Sequence, residues 1–201
     1  MVWIWFFSAC YVVGAWGLWF LMPGASDLHW AMIAFGLGLV GMEFATIFTN
    51  SLMPSLTTEE EMGKVSGSGF AFGYLGGIIS LVIMLLIFAE SATTGRTLAG
   101  QDPGLGLLNP DLREGTRAVG PFTAIWYMVF MVPFFLWVKE PKLTGQTSGI
   151  AASLADLGHL IRSLPRRKSL FAYLMSSMFY RDALNGLFTF GGVYASGVLG
   201  W

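Results

Sequence analysis

Along the chain, long apolar runs alternate with short polar stretches. Residues 2–22, 29–50, 66–89, 119–138 and 169–191 each hold enough apolar residues for a helix that crosses a membrane, which takes roughly 20. The pattern predicts an all-α transmembrane chain of about five spans. Pro23, Gly24, Ala25, Ser26 and Asp27 predict a tight turn between the first two spans. Thr57 through Lys64 reads as a short charged loop. Residues 90–118 read as a polar connection broken by Pro103, Gly104, Gly106 and Pro110. Residues 139–168 form a second long connection, and 193–201 the start of a third.

The first run is not a signal peptide by its own features. No Lys or Arg precedes it, it exceeds the length of a signal core, and Trp3, Trp5, Trp16 and Trp19 sit in pairs near its ends, as at membrane interfaces.

Composition agrees. The 201 residues are 55% hydrophobic and 11% charged, against about 25% charged in soluble domains. A net charge of −1 gives nucleic acid no purchase. Cys10 is the single cysteine, so it makes neither an intrachain disulfide nor a metal site.

The distribution of charge predicts orientation, because cytoplasmic loops retain Lys and Arg. The connections at 51–65 and 139–168 carry Lys64, Lys139, Lys142, Arg162, Arg166, Arg167 and Lys168. The opposite side carries Arg96, Arg113 and Arg117. The first set is expected in the cytoplasm, which means the plasma or inner membrane in a bacterium.

Within 139–168, Ile150, Leu154, Leu157, Ile161 and Leu164 recur at helical spacing. Ser148 suits a cap and Pro165 a stop. Two readings fit: an amphipathic helix on the cytoplasmic membrane surface, and a soluble linker helix packed on the protein.

Polar residues inside the spans are costly and mark cavities or helix-locking contacts. In the fifth span Ser177, Arg181, Asn185 and Thr189 are spaced by four, and Asp182 borders that stripe. Arg181 and Asp182 diverge by about 100° and do not simply neutralise each other. In the second span Glu43, Thr46 and Asn50 share a face. A carboxyl there can take up and release a proton as its surroundings dry and wet, or it can bond a neighbouring helix backbone. In the third span Gly69, Gly73 and Gly77 recur every four residues and Ser80 continues the face. Small residues at that spacing let two helices approach closely, within the chain or in a homodimer. No H-E-x-x-H, C-x-x-C, G-x-S-x-G or P-loop pattern occurs, so ATP-driven pumping or zinc proteolysis finds no support.

Three stretches carry a resemblance. Residues 60–77, EEMGKVSGSGFAFGYLGG, are similar to the loop and fifth helix of the vacuole-effluxer-like permeases, a branch of the major facilitator superfamily. Residues 47–54, IFTNSLMP, resemble the stretch that precedes it. Residues 179–185, FYRDALN, with Gly191, Gly192, Val193, Tyr194 and Ala195, resemble the seventh helix. The resemblance implies that the chain covers helices three to seven of a twelve-helix, 6+6 fold. Residues 1–138 then belong to the first half, 139–168 link the halves, and 169–201 open the second half. The first two helices and helices eight onward would come from other parts of the transporter.

The resemblance also implies secondary transport of a small solute, with amino-acid efflux and proton coupling as its associations and no cofactor. In that fold the second and fifth spans line a central cavity, so Glu43, Thr46 and Asn50 would face one aqueous space with Arg181, Asp182 and Asn185. The expected partners are the lipid bilayer, a small solute, protons and the remaining helices. A non-transporting membrane scaffold or sensor and an integral-membrane enzyme are the competing classes.

Overall fold

The computed structural model describes residues 1–22, 28–91, 94–140 and 150–198. The turn expected at 23–27, the cap expected at Ser148 and residues 199–201 lie outside them. The chain divides into two compact units, Met1–Lys142 and Leu143–Trp201, and the described residues are overwhelmingly helical.

In the first unit α1 (Val2–Gly17) continues through a 3-10 turn, Leu18–Phe20. It is followed by α2 (Leu28–Ser51), α3 (Met62–Ile83) and α4 (Val119–Trp137). A π-helical turn, Met84–Phe88, extends α3. With those extensions four helical segments, Val2–Phe20, Leu28–Leu56, Met62–Phe88 and Glu114–Trp137, are long and apolar enough to cross a membrane. Even the shortest, 19 residues, reaches ~28 Å at 1.5 Å per residue, close to the hydrocarbon thickness.

α1 contacts both α2 and α4 and runs antiparallel to each. At one end Trp3 stacks with Phe48 (6.4 Å), Phe7 with Phe44 (4.7 Å) and Trp5 with Phe135 (3.8 Å). At the other end the Trp30 Nε1–H donates to the Gly17 carbonyl at 3.0 Å. Arg117 reaches the Trp19 carbonyl there through Nε at 2.8 Å. The 51–61 connection and the end of α4 therefore lie at one end of the unit, and residues 89–118 at the other.

The core is thin and made of small residues. Ala34, Gly38, Gly41 and Ala45 form the buried face of α2, which meets Phe7, Tyr11, Gly14 and Ala15 of α1. A side chain at Gly41 would begin 2.5 Å from the Tyr11 amide nitrogen and 2.8 Å from the Phe7 carbonyl. One at Gly14 would begin 2.6 Å from the Ala34 carbonyl. Gly120 meets the Ala15 backbone in the same way. Where two helix backbones come this close, only glycine leaves room.

The second unit holds α5 (Ile150–Ser163), a turn at Leu164–Arg166, and α6 (Lys168–Gly197). α6 is one continuous helix of 30 residues, yet among the described residues it falls short of the apolar standard that the other four spans meet. The physical reason is its own sequence. Arg181, Asp182 and Asn185 interrupt the apolar run near its middle, and four serines and four glycines dilute the rest.

Candidate functional site

The face of α2 that packs on α1 leaves the opposite face of the helix free. At 100° per residue, Glu43 lies roughly 170° and Asn50 roughly 150° around from the midline of Ala34, Gly38, Gly41 and Ala45. Thr46 lies on the same flank. All three are exposed in the unit. Glu43 has no ion-pair partner among the described residues. A carboxyl in the middle of an apolar helix thus points away from the core that the unit builds.

In the second unit no residue of α6 with a described side chain is buried. Arg181, Asp182 and Asn185 are exposed, and neither charge has an ion-pair partner among the described residues. Adjacent positions on a helix do not face each other, so the two opposite charges stay apart.

The glycine face of α3 is open. Nothing lies within 4 Å of a side chain added at Gly69, Gly73 or Gly77, and no residue of α3 is buried. The close glycine contacts in this unit are those of Gly14, Gly41 and Gly120 instead. Spacing alone ranked the α3 glycines first because it registers small residues, not the helix they meet.

Two features escaped the sequence reading. The first is a groove of about 760 Å³ between α1, α3 and α4, lined in part by Tyr11, Gly73, Gly77, Trp126 and Tyr127, so two of the expected α3 glycines border it. At its side Ser8 Oγ and Tyr127 Oη lie 2.7 Å apart, and the Tyr11 ring meets Tyr127 edge-on at 4.7 Å. The signal was present as hydroxyl residues at i and i+3 on α1 and at i and i+4 (Thr123, Tyr127) on α4. Ser8 is buried, and its pairing satisfies a group that would otherwise be costly in an apolar setting.

The second is the connection between α3 and α4, whose described residues, 89–91 and 94–118, are folded rather than merely polar. Glu90 is buried and accepts from the Thr116 hydroxyl at 3.0 Å and the Thr116 amide at 3.3 Å. The Arg113 Nε lies 3.6 Å from the same carboxylate oxygen. Gly115 permits this closure: a side chain there would start 2.6 Å from Pro103 Cβ and collide with the Glu90 carboxylate and the Phe88 carbonyl. The Arg117 guanidinium sits 5.0 Å over the Trp19 ring while bonded to the Trp19 carbonyl, fastening the connection to the end of α1. The signal was a lone acidic residue at a span boundary followed by three arginines, which spacing alone does not connect.

Comparison with known proteins gives two findings. A family model described as vacuole effluxer Atg22 like matches residues 3–201. The chain is also 25% identical over 181 residues to an uncharacterized MFS-type transporter, YxiO, of Bacillus subtilis (strain 168). That alignment covers 84% of the chain and 37% of the relative, so the chain spans little more than a third of the length of the relative it matches. No solved structure matches.

Proposed function

The chain belongs to the vacuole effluxer Atg22-like family of MFS-type transporters, and from that premise we propose that it forms part of a secondary active transporter that moves a small solute by alternating access. It is an integral multi-pass membrane protein. The observation that carries the proposal is the placement of ionisable side chains on otherwise apolar helices. Glu43 lies opposite the packed face of α2, and Arg181 and Asp182 interrupt the apolar run of α6 near its middle. Intramembrane charges of this kind persist where they line a water-filled path or bind a substrate or proton.

In this reading α2 belongs to one half of the transporter and α6 opens the other. Glu43, Thr46 and Asn50 are the candidates for solute or proton contact on α2, and Arg181, Asp182 and Asn185 those on α6; in alternating access the two halves of such a transporter rock to open the path to each side in turn. The remaining helices of the 6+6 fold are its proposed partners. The open glycine face of α3, Gly69, Gly73 and Gly77, is the surface on which one of them slides, since small residues permit close approach without locking.

The excess of Lys and Arg in 51–65 and 139–168 puts those connections in the cytoplasm. The solute class is amino acids, with protons as the coupling ion. The test is uptake of amino acids by the full-length protein in proteoliposomes, with and without an imposed pH gradient. Gradient-dependent uptake supports the proposal. Absence of uptake under both conditions, across the amino acids, favours a membrane scaffold or sensor that keeps the fold.

A further inference from the structure

We infer that α5 is a docking surface for an anionic bilayer, lying in the membrane interface with its leucine face in lipid and its basic end among acidic headgroups. Leu154, Leu157 and Ile161 occupy one side of this helix and are 62%, 51% and 56% exposed. No residue of α5 with a described side chain is buried. An apolar stripe of this kind, exposed to water, is unfavourable and marks a surface that meets lipid or protein. At 14 residues the helix reaches only ~21 Å, too short to cross a bilayer.

Charge decides between lipid and protein. From residue 150 to residue 168 the chain carries Arg162, Arg166, Arg167 and Lys168 against one acidic residue, Asp156. Arg162 lies roughly 110° from the midline of the apolar stripe, at the edge from which a long basic side chain reaches phosphates while its stem stays in hydrocarbon. Asp156 and His159 fall on the far side, toward water. The other three cations sit in the turn at Leu164–Arg166 and at the start of α6. That junction is where a helix lying in the interface must bend into one that crosses the membrane. Basic clusters at such junctions are attracted to anionic lipid, each side chain changing the partition by roughly fivefold.

The inference rests on the preceding reading in one respect, that α6 enters the bilayer at Lys168. The experiment therefore reads α6 separately. Single cysteines are introduced by Leu157→Cys, His159→Cys or Leu187→Cys in a Cys10→Ser background of the full-length protein. Each is labelled with a nitroxide after reconstitution in phosphatidylcholine vesicles, or in equal parts phosphatidylcholine and phosphatidylglycerol. Collision with oxygen reports lipid exposure, and collision with a water-soluble nickel chelate reports aqueous exposure.

In the mixed vesicles the label at 157 should be open to oxygen and closed to nickel, and the label at 159 the reverse. The 157 signal should weaken in pure phosphatidylcholine. The triple variant Arg162→Gln, Arg166→Gln, Arg167→Gln should lower binding to the mixed surface by on the order of a hundredfold in partition. Three results overturn the inference: a 157 label closed to both reagents, which means protein covers the face; a 157 label open to nickel in both vesicles; and a 157 depth that ignores both lipid charge and the triple variant. A 187 label open to nickel along with any of these places the failure in α6 crossing the membrane, and a 187 label closed to nickel places it in α5 alone.

Discussion

Replacing Gly14 with alanine adds one methyl group at the tightest point between α1 and α2. The added carbon would lie 2.6 Å from the Ala34 carbonyl oxygen and 2.7 Å from Gly38 Cα. Ordinary van der Waals contact begins near 3.4 Å and the Gly38 amide nitrogen is nearer still, so the helices must part by roughly 1 Å or bend, and none of these neighbours is a side chain that can swing aside. Overpacking of this kind costs about 1–3 kcal/mol. Alanine also gains about 1 kcal/mol over glycine in helix propensity, which would mask part of the loss.

Gly38→Ala supplies the correction. It sits at the same crossing, gains the same propensity, and places its new carbon 3.6 Å from the nearest atom, at ordinary contact. The difference between the two variants isolates packing, and Gly38→Ala should be the more stable by about 1–3 kcal/mol. The assay is titration of the 201-residue chain with a denaturing detergent, followed by Trp fluorescence, since Trp30 is bonded to Gly17 across this interface. Equal stability, or greater stability for Gly14→Ala, would refute the close approach of the two helices.

Glu90→Ala should loosen the 89–118 connection by about 1–3 kcal/mol, because it leaves the Thr116 amide and hydroxyl without their acceptor. Faster trypsin cleavage after Arg96 or Arg113, with intact spans, would register it. In a Cys10→Ser background, an impermeant thiol reagent added to intact cells should label Leu107→Cys and spare Gln146→Cys; the reverse would invert the topology. Gly73→Leu should leave membrane insertion unchanged and impair transport by the full-length protein, since leucine inserts well but holds helices apart. Normal uptake by that variant would remove α3 as a sliding surface.

The spans were legible because each is a physical length of apolar residues, and length survives without any knowledge of neighbours. α3 starts at Met62, earlier than the expected 66, because Met62, Gly63, Lys64 and Val65 can join a helix without adding to its apolar run. Contacts were less legible. Gly14 and Gly41 make the closest approaches between α1 and α2, yet their spacing, which interleaves with Gly17, Gly36 and Gly38, forms no single stripe, unlike the regular Gly69, Gly73, Gly77 series. Glu90 looked like the polar edge of a loop. Its burial depends on Arg113, Thr116 and the missing side chain of Gly115, a coincidence more than 20 positions away that one-dimensional patterns do not carry. Glu43 was found because a charge within an apolar run is visible locally. That its face turns away from the α1 contact could only come from the packing of Ala34, Gly38 and Ala45.

The central claim is that charged faces on α2 and α6 serve coupled solute movement, and the most direct measurement of it is amino-acid uptake by full-length wild type, Asp182→Asn and Glu43→Gln in proteoliposomes at matched membrane levels and across external pH. Both amides preserve shape and remove charge, so helix packing should survive. Asp182→Asn is expected to abolish or strongly reduce gradient-driven uptake, and Glu43→Gln to change its dependence on pH. Wild-type uptake with wild-type pH dependence in both variants would contradict the claim and leave these side chains as helix-locking contacts.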